Sequence, residues 1–255
     1  MGDRLTFLGH STVLVDLNHV RVLTDPLLGH MAGAIRRQVP AVPPDTLGGL
    51  AAVFISHAHW DHLDMSSLRA LPGRPALIVP VGLGRIVAKA SLGVVHELRA
   101  GDRLKLGDLT LEAVHAEHGS RRSLFTASED ALGILITGSS SVYFAGDTDL
   151  FPGMAQLAGR VDVALLPVSG WGPRLGPGHL DPRRAAEAAE RICPAIATPI
   201  HWGTLYPLGL RRVMGRWFEG PGEAFRDAVA TRAPHVDVRI LQPGQSMQLQ
   251  ESAVR

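Results

Sequence analysis

The sequence of 255 residues has few cysteines and no long apolar runs, and both shortages narrow what the protein can be. Its single cysteine, Cys193, excludes an intrachain disulfide and is typical of a reducing compartment, so we expect a cytoplasmic protein with a buried, inert thiol. No apolar run approaches the length of a membrane span, and a strand-like segment near the first residue leaves no room for a signal peptide. We therefore expect no stable membrane insertion.

The net charge is small and aromatic residues are few. A formal net charge of +1 with scattered arginines offers no basic surface for nucleic acid, so a small molecule is the expected partner. Aromatic residues make up 5% of the chain, which leaves Val, Leu, Ile and Ala to build the core. The length fits one large domain or two small ones, and we expect a single domain over residues 1–255; the sequence leaves the oligomeric state open.

Hydrophobic periodicity predicts strands, then alternating strands and helices, then four strands, then alternation again. A long loop rich in Pro and Gly is expected over residues 26–49. Asp181 before Pro182 marks the start of one helix, and another is expected over 208–218. Two sheets covered by helices would form a four-layer αββα sandwich, although periodicity alone indicates only an α/β protein with two sheets.

The most informative pattern is His57-Ala58-His59-Trp60-Asp61-His62, which follows a strand-like apolar run. Alternating residues that leave a strand point the same way, so His57 and His59 can converge on one point. Asp61 and His62 then fall beside a second point. Imidazole and carboxylate ligands at this density suit a borderline metal such as Zn²⁺, and a histidine-rich surface loop is the alternative.

Three further residues of ligand type, His118, Asp147 and His201, stand at the ends of predicted strands. Each has an ordinary explanation by itself: a surface histidine, a turn carboxylate after Gly146, and a helix cap. Their shared position at strand ends favours a common metal site.

Together these motifs resemble the metallo-β-lactamase fold, and within it the branch that contains N-acyl-phosphatidylethanolamine phospholipase D and the bacterial ascorbate-6-phosphate lactonase. The resemblance implies a four-layer αββα sandwich and a metal-dependent hydrolase. It implies two metal ions, with His57, His59 and His118 on the first, Asp61, His62 and His201 on the second, and Asp147 bridging both. The stretches that carry it are 23–26, 56–64, 117–122, 144–148, 164–168, 178–182 and 201–204.

The resemblance also implies the chemistry. Two divalent ions, for which zinc is favoured over manganese or iron, would share a water that becomes a hydroxide near neutral pH. Asp61, Asp147 and His179 would be the catalytic residues, and Asp25 would orient a ligand histidine. His179 could equally be an ordinary residue before the helix that Asp181 caps. The proton for the leaving group could come from Asp147, His179 or a water on the metal.

Three functions are compatible with these residues. The first is hydrolysis of a phosphodiester or phospholipid-like small molecule, and the second is hydrolysis of a lactone or other carboxylic ester. The third, a non-catalytic metal-binding protein, is disfavoured because no ligand is missing. The loop 27–44, which carries Arg36 and Arg37, could line a pocket for an apolar substrate with an anionic head. Simple packing of this loop over the sandwich edge is the more economical interpretation.

Overall fold

The computed structural model describes residues 2–32, 35–119, 130–170, 175–207, 215 and 219–250. Sequence features at Arg121-Arg122 and Trp171, and all of the expected helix over 208–218 except Gly215, lie outside these ranges. Within the described ranges, no helix has both the length and the apolar character needed to span a membrane.

The strands in chain order are β1 (Arg4–Gly9), β2 (Thr12–Leu17), β3 (Val20–Thr24), β4 (Met31–Ala32), β5 (Ile35–Arg37), β6 (Ala52–Phe54), β7 (Ala76–Pro80), β8 (Val95–Leu98), β9 (Arg103–Leu106), β10 (Leu109–Gly119), β11 (Asp130–Thr137), β12 (Ser141–Phe144), β13 (Val163–Pro167), β14 (Ile196–Ile200), β15 (Leu205–Pro207), β16 (Asp237–Val238) and β17 (Ser246–Gln248). The α-helices are α1 (Met65–Ala70), α2 (Gly84–Val87), α3 (Pro182–Ile192) and α4 (Pro221–Arg232). Short 3-10 helices lie at Pro44–Leu47, Ala88–Ala90 and Pro152–Leu157.

Two seven-stranded sheets organise the fold. The first has the order β17-β1-β2-β3-β6-β7-β8, in which β1 to β3 are an antiparallel meander and β3, β6, β7 and β8 run parallel. The second has the order β16-β14-β13-β12-β11-β10-β9. Its four antiparallel strands were expected from the sequence, and three parallel strands extend them, so this sheet is mixed.

Alternation along the strands produces three apolar layers. Phe54 of β6 and Leu165 of β13 lie in the core between the sheets. Their chain neighbours point the other way, Val53 toward α1 and α2 and Leu166 toward α3 and α4. Helices, sheet, sheet and helices therefore stack in four layers, which confirms the predicted αββα sandwich.

We expect Phe144→Leu to lower the free energy of unfolding by about 1–2 kcal/mol. Phe144 and Phe54 meet edge to face between the sheets, with ring centroids 6.1 Å apart at 84°. Denaturant unfolding of the metal-free protein measures the loss. Phe7→Leu is the matched control, because Phe7 is buried in the same core but has no ring partner among the described residues. Equal losses in both variants would show that the aromatic pair adds nothing.

The region expected to be an irregular loop contains a hairpin. Strands β4 and β5 pair with each other and with β15 in a small third sheet. Arg37 in β5 is buried, and its guanidinium donates to the backbone carbonyls of Leu8, Leu27 and Pro40. Burial lowers the pKa of Arg37 to about 10. Because its guanidinium is buried and bonded to these carbonyls, Arg37 attaches the hairpin to the sandwich and is not available to bind the anionic head group of a substrate.

Helix α3 begins as expected and ends in an unexpected way. The Asp181 side chain accepts hydrogen bonds from the backbone N–H groups of Arg183 and Arg184. Cys193 follows the helix with a left-handed φ of +52°, and its side chain is exposed. The prediction of a buried thiol is therefore wrong, because the chain reverses direction at this residue. Its Sγ lies 3.2 Å from Nε2 of His235.

Candidate metal centre

The predicted ligands converge at one end of the sandwich, where the chain leaves strands of both sheets. The segment 57–62 follows β6, Asp147 follows β12, and His201 follows β14 directly. His118 lies within β10, because this strand continues to Gly119. Residues far apart in the chain thus meet because their strands end at the same edge.

His57, His59 and His118 form the first group of ligands. His59 Nδ1 lies 2.9 Å from His57 Nε2 and 3.1 Å from His118 Nε2. Atoms around a tetrahedral ion with bonds of about 2.0–2.1 Å are about 3.3 Å apart, so these nitrogens have the spacing of one coordination sphere. Burial lowers the pKa of His59 to about 4, which keeps its imidazole neutral and able to bind a cation at pH 7.

Asp61, His62 and His201 form the second group, and all three are buried. His62 Nε2 lies 3.2 Å from His201 Nε2, and Asp61 Oδ2 lies 3.6 Å and 3.7 Å from these two nitrogens. Burial opposes a proton on His62, yet the carboxylates of Asp147 and Asp61 raise its pKa well above the usual value. The negative charge in this group therefore favours a cation at its centre.

Asp147 lies between the two groups. Its Oδ2 is 3.3 Å from His62 Nε2, and its Oδ1 is 3.3 Å from His201 Nε2. It also has a carboxylate oxygen within 4.8 Å of ligand atoms of His57 and His118. Despite the nearby imidazole, Oδ1 is buried without a hydrogen-bond partner among the described residues. A buried carboxylate oxygen without a donor is rare in folded proteins, and a bound cation would satisfy it, so the donor set fits divalent metal ions.

Backbone carbonyls on the far side of the rings determine which nitrogen faces the centre. His118 Nδ1 donates to Gly178 O at 2.7 Å, and His201 Nδ1 donates to Ser169 O at 2.7 Å. An imidazole that donates through Nδ1 keeps the lone pair on Nε2 for a metal.

A single buried carboxylate, Asp25, orients histidines of both groups. It accepts hydrogen bonds from His62 Nδ1 at 2.7 Å and from Ser56 Oγ at 2.6 Å. Ser56 Oγ in turn accepts from His57 Nδ1 at 2.9 Å. The contact with His62 is the kind that the sequence resemblance implies for Asp25. The sequence did not predict that Ser56 links Asp25 to His57, since its position before His57 was its only distinguishing feature.

His179 lies at the edge of the centre. Its Nε2 is 3.6 Å from Asp147 Oδ2, and 25% of its side chain is exposed. Its ring centroid is 4.7 Å from that of His118. His179 precedes the Asp181 cap and also faces Asp147. The two interpretations of this residue, a position before the helix cap and a position beside the metal centre, are therefore compatible.

We expect Gly178→Ala to weaken metal binding about tenfold. Gly178 has a left-handed φ of +85°, and an added Cβ would lie 3.1 Å from His118 Nδ1. The strained backbone would move the carbonyl that orients His118. Calorimetric titration of the metal-free protein measures the affinity. Gly176→Ala is the matched control, because a Cβ there meets nothing within 4 Å. The same affinity in both variants would contradict this role of Gly178.

One buried histidine at the centre was not predicted from the sequence. His10 lies in the turn between β1 and β2 with a left-handed φ of +56°, and its Nε2 is 3.0 Å from Asp61 Oδ2. Burial lowers the pKa of His10 to about 3, so the ring is neutral at pH 7. A lone histidine after Gly9 has no ligand spacing, and its place at the end of a buried strand is the one feature that it shares with the predicted ligands.

Comparison with known proteins gives consistent results. The chain matches the beta-lactamase superfamily domain over residues 20–202. A UPF0173 metal-dependent hydrolase of Aeropyrum pernix is 30% identical over 258 residues, which cover 95% of this chain and 96% of that protein. The N-acyl-phosphatidylethanolamine-hydrolyzing phospholipase D 1 of Caenorhabditis elegans is 30% identical over 230 residues, which cover 80% of this chain and 64% of that protein.

Among solved structures, Igni18, a metallo hydrolase from Ignicoccus hospitalis, superposes with a TM-score of 0.74 at 22% identity. The superposition covers 98% of this chain and 99% of that chain, so the two share a fold. With the family match over most of its length and the clustered His and Asp ligands, the chain belongs to the metallo-β-lactamase fold superfamily.

Proposed function

We propose that this protein is a metal-dependent hydrolase that holds two divalent ions and acts on a phosphodiester or phospholipid-like small molecule. The observation that carries the proposal is the position of Asp147. Its oxygens lie 3.3 Å from His62 Nε2 and His201 Nε2 of the second group, and a carboxylate oxygen is within 4.8 Å of ligand atoms of His57 and His118 of the first group. A carboxylate in this position can join two ions into one centre. Metal dependence also agrees with the names of relatives such as the Aeropyrum pernix protein.

The proposed ions would lower the pKa of a bound water to about 7 and polarise the group that is attacked. The chain itself supplies orientation. Backbone carbonyls and Asp25 hold the ligand imidazoles in one tautomer, and burial of the second group keeps bulk water away. Among the three predicted catalytic residues, His179 has the most exposed side chain, whereas Asp61 and Asp147 are buried. His179 can therefore donate a hydrogen bond to substrate or a proton to the leaving group.

We propose zinc as the metal, with manganese and iron as alternatives. The donors are imidazole nitrogens and carboxylate oxygens, without sulfur, and all three ions accept this set. The spacing of the first group matches tetrahedral zinc, which favours that ion.

One relative supports the substrate class. The Caenorhabditis elegans relative is named for a phospholipid substrate. Leu27, Ile35 and Leu205, against which Trp60 of the metal motif packs, are buried, so they belong to the interior and not to a substrate surface.

The test compares substrates on protein that has been stripped of metal and reloaded with Zn²⁺ or Mn²⁺. We expect bis(p-nitrophenyl) phosphate and an N-acyl phosphatidylethanolamine to be hydrolysed faster than simple lactones and thioesters. Faster lactone turnover would favour the carboxylic-ester alternative. Full activity without metal would refute metal dependence, and less than one ion per chain would favour a non-catalytic metal-binding protein.

A further inference from the structure

We propose that His10 is a positioning residue for the metal held by Asp61, His62 and His201, an inference that rests on the two-metal function above. His10 lies far from the metal motif in the chain, in the turn between β1 and β2. Its side chain is buried beside this second ligand group, and its backbone and ring contact all three members of it, most closely Asp61 and His201.

The first contact holds the ligand carboxylate. His10 Nε2 lies 3.0 Å from Asp61 Oδ2, the same oxygen that faces His62 Nε2 at 3.6 Å and His201 Nε2 at 3.7 Å. A carboxylate oxygen has two lone pairs, so Oδ2 can accept the N–H of His10 and still face an ion. The hydrogen bond therefore keeps Asp61 from turning away from the centre.

The second contact holds a ligand from the other sheet. The backbone carbonyl of His10 accepts from His201 N at 2.9 Å, and the two imidazoles pack with centroids 4.0 Å apart. The backbone N–H of His10 donates to Thr204 Oγ1 at 2.7 Å, which ties the turn to the segment after β14. Asp61 and His201, which leave different sheets, are thus held in register by one residue.

These contacts predict an effect on one metal and not on the other. In the first group, His57 is oriented by Ser56 and His118 by Gly178, through hydrogen bonds in which His10 takes no part. Loss of His10 should therefore weaken the metal at Asp61, His62 and His201 selectively. A purely structural role in the turn would destabilise the whole chain instead.

The test compares His10→Gln with His10→Leu. The Gln amide can donate from near the position of the imidazole Nε2, whereas Leu fills similar space without a donor, and both meet the same left-handed backbone. Zinc affinities of the metal-free variants are measured by competition with a chromophoric chelator. We expect His10→Leu to weaken one of two zinc affinities about 10–100-fold and His10→Gln to stay within about threefold of the unaltered protein. His19→Leu, at an exposed turn with a φ of +62°, controls for the turn itself.

Unchanged affinities in His10→Leu, equal weakening of both zinc ions, or equal loss in Leu and Gln would overturn the inference. If His10→Leu does not fold, His10→Asn replaces it, because Asn tolerates the left-handed backbone but is too short to reach Asp61. A single zinc in the unaltered protein would refute the two-metal function alone. The inference would then stand only if His10→Leu weakens that ion tenfold or more and His10→Gln does not. Failure to cleave phosphodiesters leaves the expected affinities unchanged.

Discussion

Asp147→Asn is expected to lower kcat/KM by about 10³-fold or more. Stabilisation of charge by metal ions contributes several kcal/mol, and each 1.4 kcal/mol or so corresponds to about tenfold in rate. The Asn side chain keeps the size of Asp147 but loses the charge that faces His62 and His201. Steady-state kinetics on bis(p-nitrophenyl) phosphate measure the loss, and elemental analysis should show less than the normal metal content.

Asp149→Asn is the matched control for Asp147→Asn. Asp149 lies two residues farther along the chain, and its side chain accepts from Arg184, so the substitution removes the same charge outside the metal centre. We expect its kcat/KM to change less than about threefold, since partly exposed ion pairs contribute about 0–1 kcal/mol. An Asp147→Asn variant that keeps more than a tenth of the activity would show that the Asp147 carboxylate is dispensable.

Asp25→Ala is expected to lower the free energy of unfolding of the metal-free protein by about 3–5 kcal/mol. The carboxylate is fully buried and accepts hydrogen bonds from His62 Nδ1, Ser56 Oγ and Ser56 N. Removal of the acceptor leaves these buried donors unpaired, and each unpaired donor costs about 1–3 kcal/mol. The left-handed φ of +34° at this position adds to the cost for Ala. Denaturant unfolding followed by circular dichroism measures the change.

Asp16→Ala is the matched control for Asp25→Ala. Asp16 also makes several polar contacts, but its partners are Arg4 and Arg21 near the surface. Water can replace these contacts, so we expect a loss of about 1 kcal/mol. A loss below about 1 kcal/mol for Asp25→Ala would mean that Ser56 and His62 find other partners, and the proposed orientation of the histidines would fail.

Many elements were predictable because their signals are local. The helix that begins after Asp181 has its cap and its proline in adjacent positions, and the structure starts it there. The hairpin formed by β4 and β5 was missed because β15, its pairing partner, lies far along the chain. For the same reason β17, which pairs with β1 at the edge of the first sheet, was missed.

The metal motif could be recognised before the fold was known because the segment 57–62 places several ligand types within one short stretch. The sequence also marked His118, Asp147 and His201 as candidates, although each had an ordinary alternative by itself. The fold brings them together, since β10, β12 and β14 end at the same edge as β6. His10 and Ser56 could not be found this way, because a turn histidine and a serine are common and only their contacts distinguish them.

The sequence by itself therefore determined an α/β protein with two sheets and the kinds of atoms that a metal would meet, and the resemblance of its motifs to a known family implied the four layers. Strand alternation depends on neighbouring residues and ligand chemistry on the residue type, so both can be read without knowledge of the tertiary structure. Only the tertiary structure decided which side of each imidazole faces the centre, because the acceptors Asp25, Ser169 and Gly178 come from distant segments. It alone also showed that Asp147 stands between two ligand groups and that His10 supports one of them, since both facts depend on the packing of two sheets.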